Sequence, residues 1–414
     1  MSLTEIRGRP LEEDDVPRGP RHAKIIGAVW ALLIFNTLAT QGVSALVPIP
    51  RSVTQALTMS AVGFAFALAL IVNPRLKIRP SAYLMLLSLL VVTSFAGSVR
   101  MESGVGSLFR CARLSLFVAT LWLISPWMNG SMRFVRQHIR VLTVLLVSVA
   151  LGLVVSPGSA MPALNQGRLT GVLWPLTPTQ IGQYAAVTAG LAVLLWINRL
   201  TDARSVAFVA GPSVILLVLT HTRTASLGLI VGLVVAVLSM WLTSGRARKA
   251  FGWGLASVGV AAVLLGPLLQ TWILRGQDSE NFTNLTGRAK VWDRLLAAPR
   301  TWYEEVFGKG LSNKSFDGLP IDNSWLSVYH EQGYLGVTIV ALFLLTLIVV
   351  AIARPPSPAR ACALFLITYC LVASYTEAGL GDAATYLLHL AVAAGLLAAP
   401  APRADHFIPQ RTTS

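Results

Sequence analysis

The sequence predicts an all-α integral membrane protein with about twelve transmembrane helices and one long extracytoplasmic loop between the ninth and tenth spans. Three observations predict it. Hydrophobic residues make up 54% of the 414 residues, charged residues only 12%, and the mean hydropathy is +0.66, whereas soluble domains average about 25% charged. The apolar residues gather into stretches near the roughly 20 residues that a hydrocarbon core of about 30 Å requires. These stretches lack the alternation of a barrel strand, and lipid obliges the backbone to satisfy its own hydrogen bonds, which leaves the helix.

In chain order the stretches are 24–46, 54–72, 82–96, 108–127, 141–155, 181–197, 206–219, 224–242, 251–273, 335–352, 361–372 and 383–398. The organisation that follows is a cytoplasmic tail over 1–23, nine spans over 24–270, a loop subdomain over 271–334, three spans over 335–400 and a second tail over 401–414. The first stretch is too long for a signal-peptide core and follows a mixed-charge tail, Glu12-Glu13-Asp14-Asp15 among Arg7, Arg9, Arg18 and Arg21. It is therefore expected to be a retained span. The three cysteines, Cys111, Cys362 and Cys370, all lie in apolar segments, which gives neither a disulfide framework nor zinc spacing and predicts buried thiols.

A net charge of +15 resembles a nucleic-acid signature until the charges are assigned to loops. Twenty of the 33 Lys and Arg residues fall in the tails and in every second loop, six in the short intervening loops and their flanks, and seven in 271–334. The positive-inside rule then puts both termini in the cytoplasm of a cell that carries the protein in its inner or plasma membrane. The basicity is topological, and nucleic acid is an unnecessary partner; the lipid bilayer is the expected one.

The segment 271–334 is where the chain leaves the membrane for long, and a loop of this size in a compact protein is usually functional or disordered. Its content predicts order. Thr286 can cap a helix from Gly287 to Ala298, ended by Pro299, with Trp292, Leu295 and Leu296 on one face. Trp302, Tyr303 and Phe307 suit an interfacial belt. A tight Gly308-Lys309-Gly310 and a polar stretch ending at Asp322-Asn323 follow. Upstream, Thr220-His221-Thr222-Arg223 places an arginine at a bilayer boundary. At mid-helix such a cation costs at least about 2.5–3.5 kcal/mol, so it snorkels to headgroups or faces an anion.

These residues carry a resemblance. Thr222-Arg223-Thr224-Ala225 opening a span, Gly287-Arg288 followed by Trp292, then Gly308-Lys309-Gly310, then Asp322-Asn323-x-x-Leu326 with Glu331-x-Gly333 entering the next span resembles the O-antigen ligase and polymerase superfamily. Gly167-Arg168-Leu169-Thr170-Gly171 and Thr177-Pro178-Thr179-Gln180 look like a weaker element of the same family. The resemblance implies a GT-C-like membrane glycosyltransferase acting at the outer face. It would transfer glycan from a polyprenyl-diphosphate-linked donor to the hydroxyl of a saccharide acceptor, without nucleotide sugar, metal or other cofactor. Ligases usually carry His-Asn-x-x-Leu, and Asp322 stands in the His place as in many polysaccharide polymerases, so the resemblance favours a polymerase.

The residue chemistry is compatible. A diphosphate leaving group concentrates negative charge, and Arg pairs phosphate oxygens bidentately, which makes Arg223 and Arg288 the candidate clamp. The acceptor hydroxyl needs a proton acceptor, and Asp322 is the candidate base if burial raises its pKa. Attack opposite the diphosphate would invert the anomeric centre. Arg168, Arg110, Asn323, His221 and His330 are candidates for substrate binding.

Each assignment has a plainer competitor. Arg223 can be a snorkelling anchor, and Arg288 a solvated first-turn residue. Asp322-Asn323 can be the cap of a helix from Trp325 onward. His221 and His330 can be interfacial polar residues, or either can replace the missing His. Arg110 and Arg113 either extend the phosphate site or snorkel, and His389, inside the last span, has no identifiable partner. No Asp-x-Asp and no His/Cys grouping has ligand spacing, and the first outside loop, near 47–53, has no acidic residue, so no metal site is expected. The rival class, a transporter or flippase of lipid-linked saccharide, predicts Gly/Pro-broken helices in symmetric halves and midplane ionisable groups; the ionisable groups here cluster at the outer ends instead.

Overall fold

The computed structural model describes residues 20–39, 50–100, 104–241, 244–264 and 288–398. The acidic cluster of the first tail, residues 47–49 of the 47–53 loop, Thr286, Gly287 and the rest of 265–287 lie outside the described residues, as do 399–414.

The described chain is an all-α membrane protein. Its helices are α1 (Pro20–Asn36), α2 (Arg51–Val72), α3 (Ala82–Ser98), α4 (Val105–Ile124), α5 (Met132–Val155), the single turn α6 (Pro157–Ala160), α7 (Pro178–Ile197), α8 (Ala203–Leu219), α9 (Arg223–Leu238), α10 (Gly245–Leu264), α11 (Arg288–Ala297), α12 (Trp302–Phe307), α13 (Ser324–Ala353), α14 (Pro358–Ala373) and α15 (Thr385–Leu397). The described strands are a two-residue antiparallel pair, β1 (Ser315–Phe316) and β2 (Leu319–Pro320), with Ser315 opposite Pro320. Five described helices are long and apolar enough to cross a membrane: α2, α4, α5, α7 and α13; α1, α3, α8, α9, α14 and α15 are shorter apolar helices.

The lipid-facing and packed surfaces separate clearly. Phe64 and Ile71 on α2, Val144 and Val154 on α5 and Phe208 on α8 stand exposed, and an outward apolar surface of this extent belongs in lipid. The helix α7 is buried nearly all round. Close approach at the centre comes from small residues: Gly190 of α7 and Gly232 of α9 leave room for the Phe365 ring of α14, and Gly228 for that of Tyr369, the membrane form of backbone-to-ring packing. All three cysteines are buried and free.

The structure differs from the sequence expectation in two places. Within the first apolar stretch the helix ends at Asn36, before 37–39, and 40–46 lie outside the described residues. A buried polar knot stops it: Asn36 donates to the Thr58 carbonyl at 2.7 Å, Thr37 bonds back to Ile34 O at 2.7 Å, and Arg113 donates to Asn36 O at 2.6 Å. The second correction concerns His389, which does have partners. Trp30 donates to His138 Nδ1 at 3.0 Å, His138 Nε2 lies 2.8 Å from His389 Nδ1, and the Gln183 side-chain amide lies 3.1 Å from His389 Nε2. With the indole as donor, neutral His138 must carry its proton on Nε2 and give it to His389 Nδ1. The His389 proton is then on Nε2, which calls for the Gln183 amide to present its oxygen there in place of its nitrogen.

The feature that positions the loop subdomain is a break in α13. Gly333 has φ 66° and ψ −165° inside an otherwise helical run, a conformation open to glycine at no Cβ penalty. The break frees the carbonyls of His330 and Glu331, and the amides of Lys309 and Gly310 take them, each at 3.0 Å. The Gly308-Lys309-Gly310 turn can lie that close because Gly308 and Gly310 have φ of 76° and 86°. Thus the half-helix 324–332 belongs with the loop subdomain and the apolar run begins after Gly333, at the boundary that hydropathy predicts. Asn323 starts this half-helix, its side-chain oxygen accepting from the amides of Trp325 and Leu326 at 2.9 and 3.0 Å.

Gly333→Ala is expected to lower the thermal unfolding midpoint of detergent-solubilised protein, at a cost of about 1–3 kcal/mol for the strained backbone, because its Cβ would also meet the Val306 carbonyl. Gly63→Ala, with open space around it, is the matched control and should leave the midpoint unchanged or raise it.

Candidate functional site

Three separated pieces of sequence meet at one end of the bundle. The turn before α9 and the loop before α7 are tied together first. Leu169 N donates to Leu219 O at 3.0 Å, Arg168 Nε to Thr220 O at 3.0 Å, and Thr222 Oγ1 to Pro178 O at 3.2 Å. The turn itself is made at His221, whose φ is 50°, and it ends with Arg223 as the first residue of α9. The elements around Arg168 and Arg223 are therefore one structural unit.

The third piece is α11 and the start of α13. Arg288 opens α11 as described, and its Nε donates to Asp322 Oδ2 at 3.1 Å. Both side chains are about a third exposed or less, at 27% and 35%, and ion pairs so exposed are worth about 0–1 kcal/mol. An incoming dianion can take Arg288 over at little cost.

The plain competitors of Asp322 and Asn323 resolve unequally. Asn323 is the helix cap, and its amide nitrogen also donates to Tyr375 O at 3.0 Å. Its side chain is thus committed to the fold, in place of the substrate contact expected for it. Asp322 does not cap; it faces Arg288. Burial pushes the Asp322 carboxyl above its ordinary value, and Arg288 opposes the shift.

What joins these pieces is the loop between α14 and α15, which the sequence reasoning passed over. Ser324 N donates to Ser374 O at 2.8 Å, Ser324 Oγ to Glu377 O at 2.6 Å, and Gly379 N to Ser324 Oγ at 3.0 Å. Trp325 Nε1 adds a bond to Ser374 Oγ at 3.0 Å. Thr376 shares a hydroxyl hydrogen bond with Thr224 of α9, and Tyr375 packs edge-on against Trp292 of α11, ring centroids 5.6 Å apart. This loop touches α9, α11 and the start of α13, and it brings Glu377 with it.

Glu377 is the residue missed. It lies in an electrostatic cluster with Asp322, Arg288 and Arg168, while Arg168 in turn is a neighbour of Arg288 and Arg223. Burial, reinforced by the charge of Asp322 and opposed by Arg288 and Arg168, pushes the Glu377 carboxyl up to about 7. Burial holds Arg168 below its ordinary value, with Glu377 opposing and the other two arginines adding to the shift. A signal was present in the sequence: Glu377 and Asp382 are the acidic residues between Glu331 and Asp405, in a stretch where apolar spans dominate, and such residues are functional candidates.

The remaining candidates fall elsewhere. His330 is buried in the half-helix, with Nδ1 3.3 Å from Arg300 Nη2 and its ring against Phe316. Arg110 is half-buried on α4 beside Arg113. Arg113 neither snorkels nor offers itself to phosphate: it donates to Asn36 O and to Ala383 O at 3.2 Å and lies 3.9 Å from Asp382. Glu331 accepts from Ser312 N, Ser312 Oγ and Lys314 N at 2.8, 2.9 and 3.3 Å, which pins the 312–314 loop to the half-helix. Among the described residues, no three His, Cys, Asp or Glu side chains are grouped to hold a metal ion.

The division of labour between neighbours predicts a split in stability. Asn323→Ala should lose about 0.5–2 kcal/mol, the usual cost of a lost cap, read as a lower unfolding midpoint. Asp322→Asn, which removes a half-exposed ion pair, should change it by no more than about 1 kcal/mol.

Protein-family models were scanned against the chain and none matches. A search of curated proteins likewise finds no match.

Proposed function

We propose that this protein is a polytopic membrane glycosyltransferase that polymerises or ligates glycan from a polyprenyl-diphosphate-linked donor onto an acceptor hydroxyl. In this reading it has twelve spans, both termini in the cytoplasm, and the arginine cluster at the outer face. The observation that carries the reading is the cluster of Arg168 and Arg288 with Asp322 and Glu377, with Arg223 beside Arg168. Three fixed cations around two carboxylates leave a net positive site, which suits a diphosphate. The sequence resemblance to O-antigen ligases and polymerases supports the same reaction, with Asp322 in the ligase histidine position favouring polymerisation.

The chemistry follows from the charges. Arg223 and Arg288 bind the diphosphate and gain strength as the bond to the sugar breaks and charge develops on the leaving oxygen. Diphosphate displaces Asp322 from Arg288, and the acceptor proton passes to the carboxylates of the site. The acceptor oxygen attacks the anomeric carbon from the face opposite the diphosphate, with inversion. The rival reading, a transporter or flippase of lipid-linked saccharide, draws on the buried His138–His389 pair as an ionisable array inside the bundle. Product analysis separates the two, since transport leaves the glycan unextended.

Incubated with lipid-diphosphate oligosaccharide, the purified protein should release lipid diphosphate and yield longer glycan. Arg223→Ala and Arg288→Ala should each lower turnover by about 10- to 100-fold, the equivalent of one charge-assisted contact of about 1.5–3 kcal/mol. Lys at either place should restore only part, because a point charge replaces a fork. Full activity in both alanine variants would refute the clamp.

The charge bias of the loops sets the orientation test. A cysteine placed at Asn313 should react with an impermeant thiol reagent in spheroplasts, and one at Arg248 should not. The reverse labelling pattern would put the site on the wrong face for this donor.

A further inference from the structure

The two carboxylates of the site are not equivalent. Asp322 already accepts from Arg288 at 3.1 Å, and that guanidinium offsets part of the rise that burial gives its carboxyl and occupies one of its oxygens. The Glu377 carboxylate makes no hydrogen bond or ion pair among the described residues, although its backbone is held firmly. Its amide donates to Ala373 O at 2.9 Å, and its carbonyl accepts from Ser324 Oγ at 2.6 Å. The residue is half-buried, so its carboxyl group keeps some access to solvent.

We propose that Glu377 is the general base of the site, taking the proton of the acceptor hydroxyl, and that Asp322 stays ionised and holds Arg288 until the donor arrives. This rests on the glycosyl-transfer reading above. The step balances within the groups named. The acceptor O–H bond breaks and its proton goes to a Glu377 oxygen. An electron pair of the acceptor oxygen forms the bond to the anomeric carbon. The carbon–oxygen bond to the diphosphate breaks, and its pair leaves with the diphosphate between Arg223 and Arg288.

The surroundings favour this partition. Facing Glu377 are Asp322 and Arg288 from the loop subdomain, Arg168 from the loop before α7, Tyr369 from α14 and Tyr386 from α15. Burial and the negative charge of Asp322 raise the Glu377 carboxyl to about 7, and a general base works best when its pKa lies near the operating pH. The sign is that of a raised carboxyl: below about 7 Glu377 is protonated and cannot accept, above it the residue is ionised and competent.

The test is the pH dependence of turnover by the full chain in nanodiscs with lipid-diphosphate oligosaccharide, alongside infrared titration of its protonated carboxyl bands. Wild-type turnover should fall by about tenfold per pH unit on the acid side of a midpoint near 7. Glu377→Gln should lose about 10²–10⁴-fold in turnover, together with the carboxyl band that titrates at that midpoint, while its unfolding midpoint is kept. Glu377→Asp should retain part of the turnover with the acid limb intact. Turnover of Glu377→Gln within twofold of wild type, or an acid limb that survives in it and vanishes in Asp322→Asn, would overturn the assignment. If the infrared band behaves as expected but wild-type protein yields no glycan product at any pH, the reaction itself is wrong and the base role falls with it.

Discussion

Ser324 is the pin on which the site depends. It is almost fully buried, and its three polar functions are all spent on one loop: its amide on Ser374, its hydroxyl proton on Glu377 and its hydroxyl oxygen on Gly379. Beyond its first turn this loop has little regular structure to pair its backbone, and a buried backbone group left unpaired costs about 1–3 kcal/mol. By meeting those needs at the first turn of the half-helix, Ser324 fixes the α14–α15 loop against Asp322. The contacts of Thr376 with Thr224 and of Tyr375 with Trp292 then follow. Without that pin Glu377 would have no defined relation to the arginines.

The second constraint is the break at Gly333. A continuous helix from Ser324 to Ala353 would be about 45 Å long at 1.5 Å per residue, well beyond a hydrocarbon core of about 30 Å. Turning the chain at Gly333 separates a polar half-helix from a lipid-facing one. The freed carbonyls are satisfied by the Lys309 and Gly310 amides rather than by lipid, which is the condition for irregular backbone at this depth. The same break explains why two motif fragments, Gly308-Lys309-Gly310 and Glu331-x-Gly333, occur together: one supplies the donors that the other requires.

Charge gathers at the two ends of the bundle for different reasons. At the end carrying Arg79, Arg136, Arg354 and Arg360, guanidinium groups cap backbone carbonyls such as Leu200 O and Arg354 O, and the helix ends there pair with each other. At the opposite end Arg288 and Arg168 lie with Asp322 and Glu377, and Arg223 lies beside Arg168, an arrangement that leaves like charges close together. Such a cluster is costly to keep without an anion to receive it, and this is the physical content of calling it a site.

Hydropathy by itself determined that the described chain is helical, because spans in lipid have no other way to satisfy their backbone. The sequence also singled out Arg223, Arg288 and Asp322 as candidates, since fixed charges beside apolar spans need a reason. It did not separate Asp322 from Asn323, one facing an arginine and the other capping a helix, because both residues serve either purpose until the helix start is placed. Nor did it show that Arg113 is consumed by Asn36, that His389 has His138 as its partner, or that Glu377 joins the arginines. Those outcomes depend on contacts between residues from 55 to more than 250 positions apart, and only the packing of the bundle decides which side chains those distances bring together.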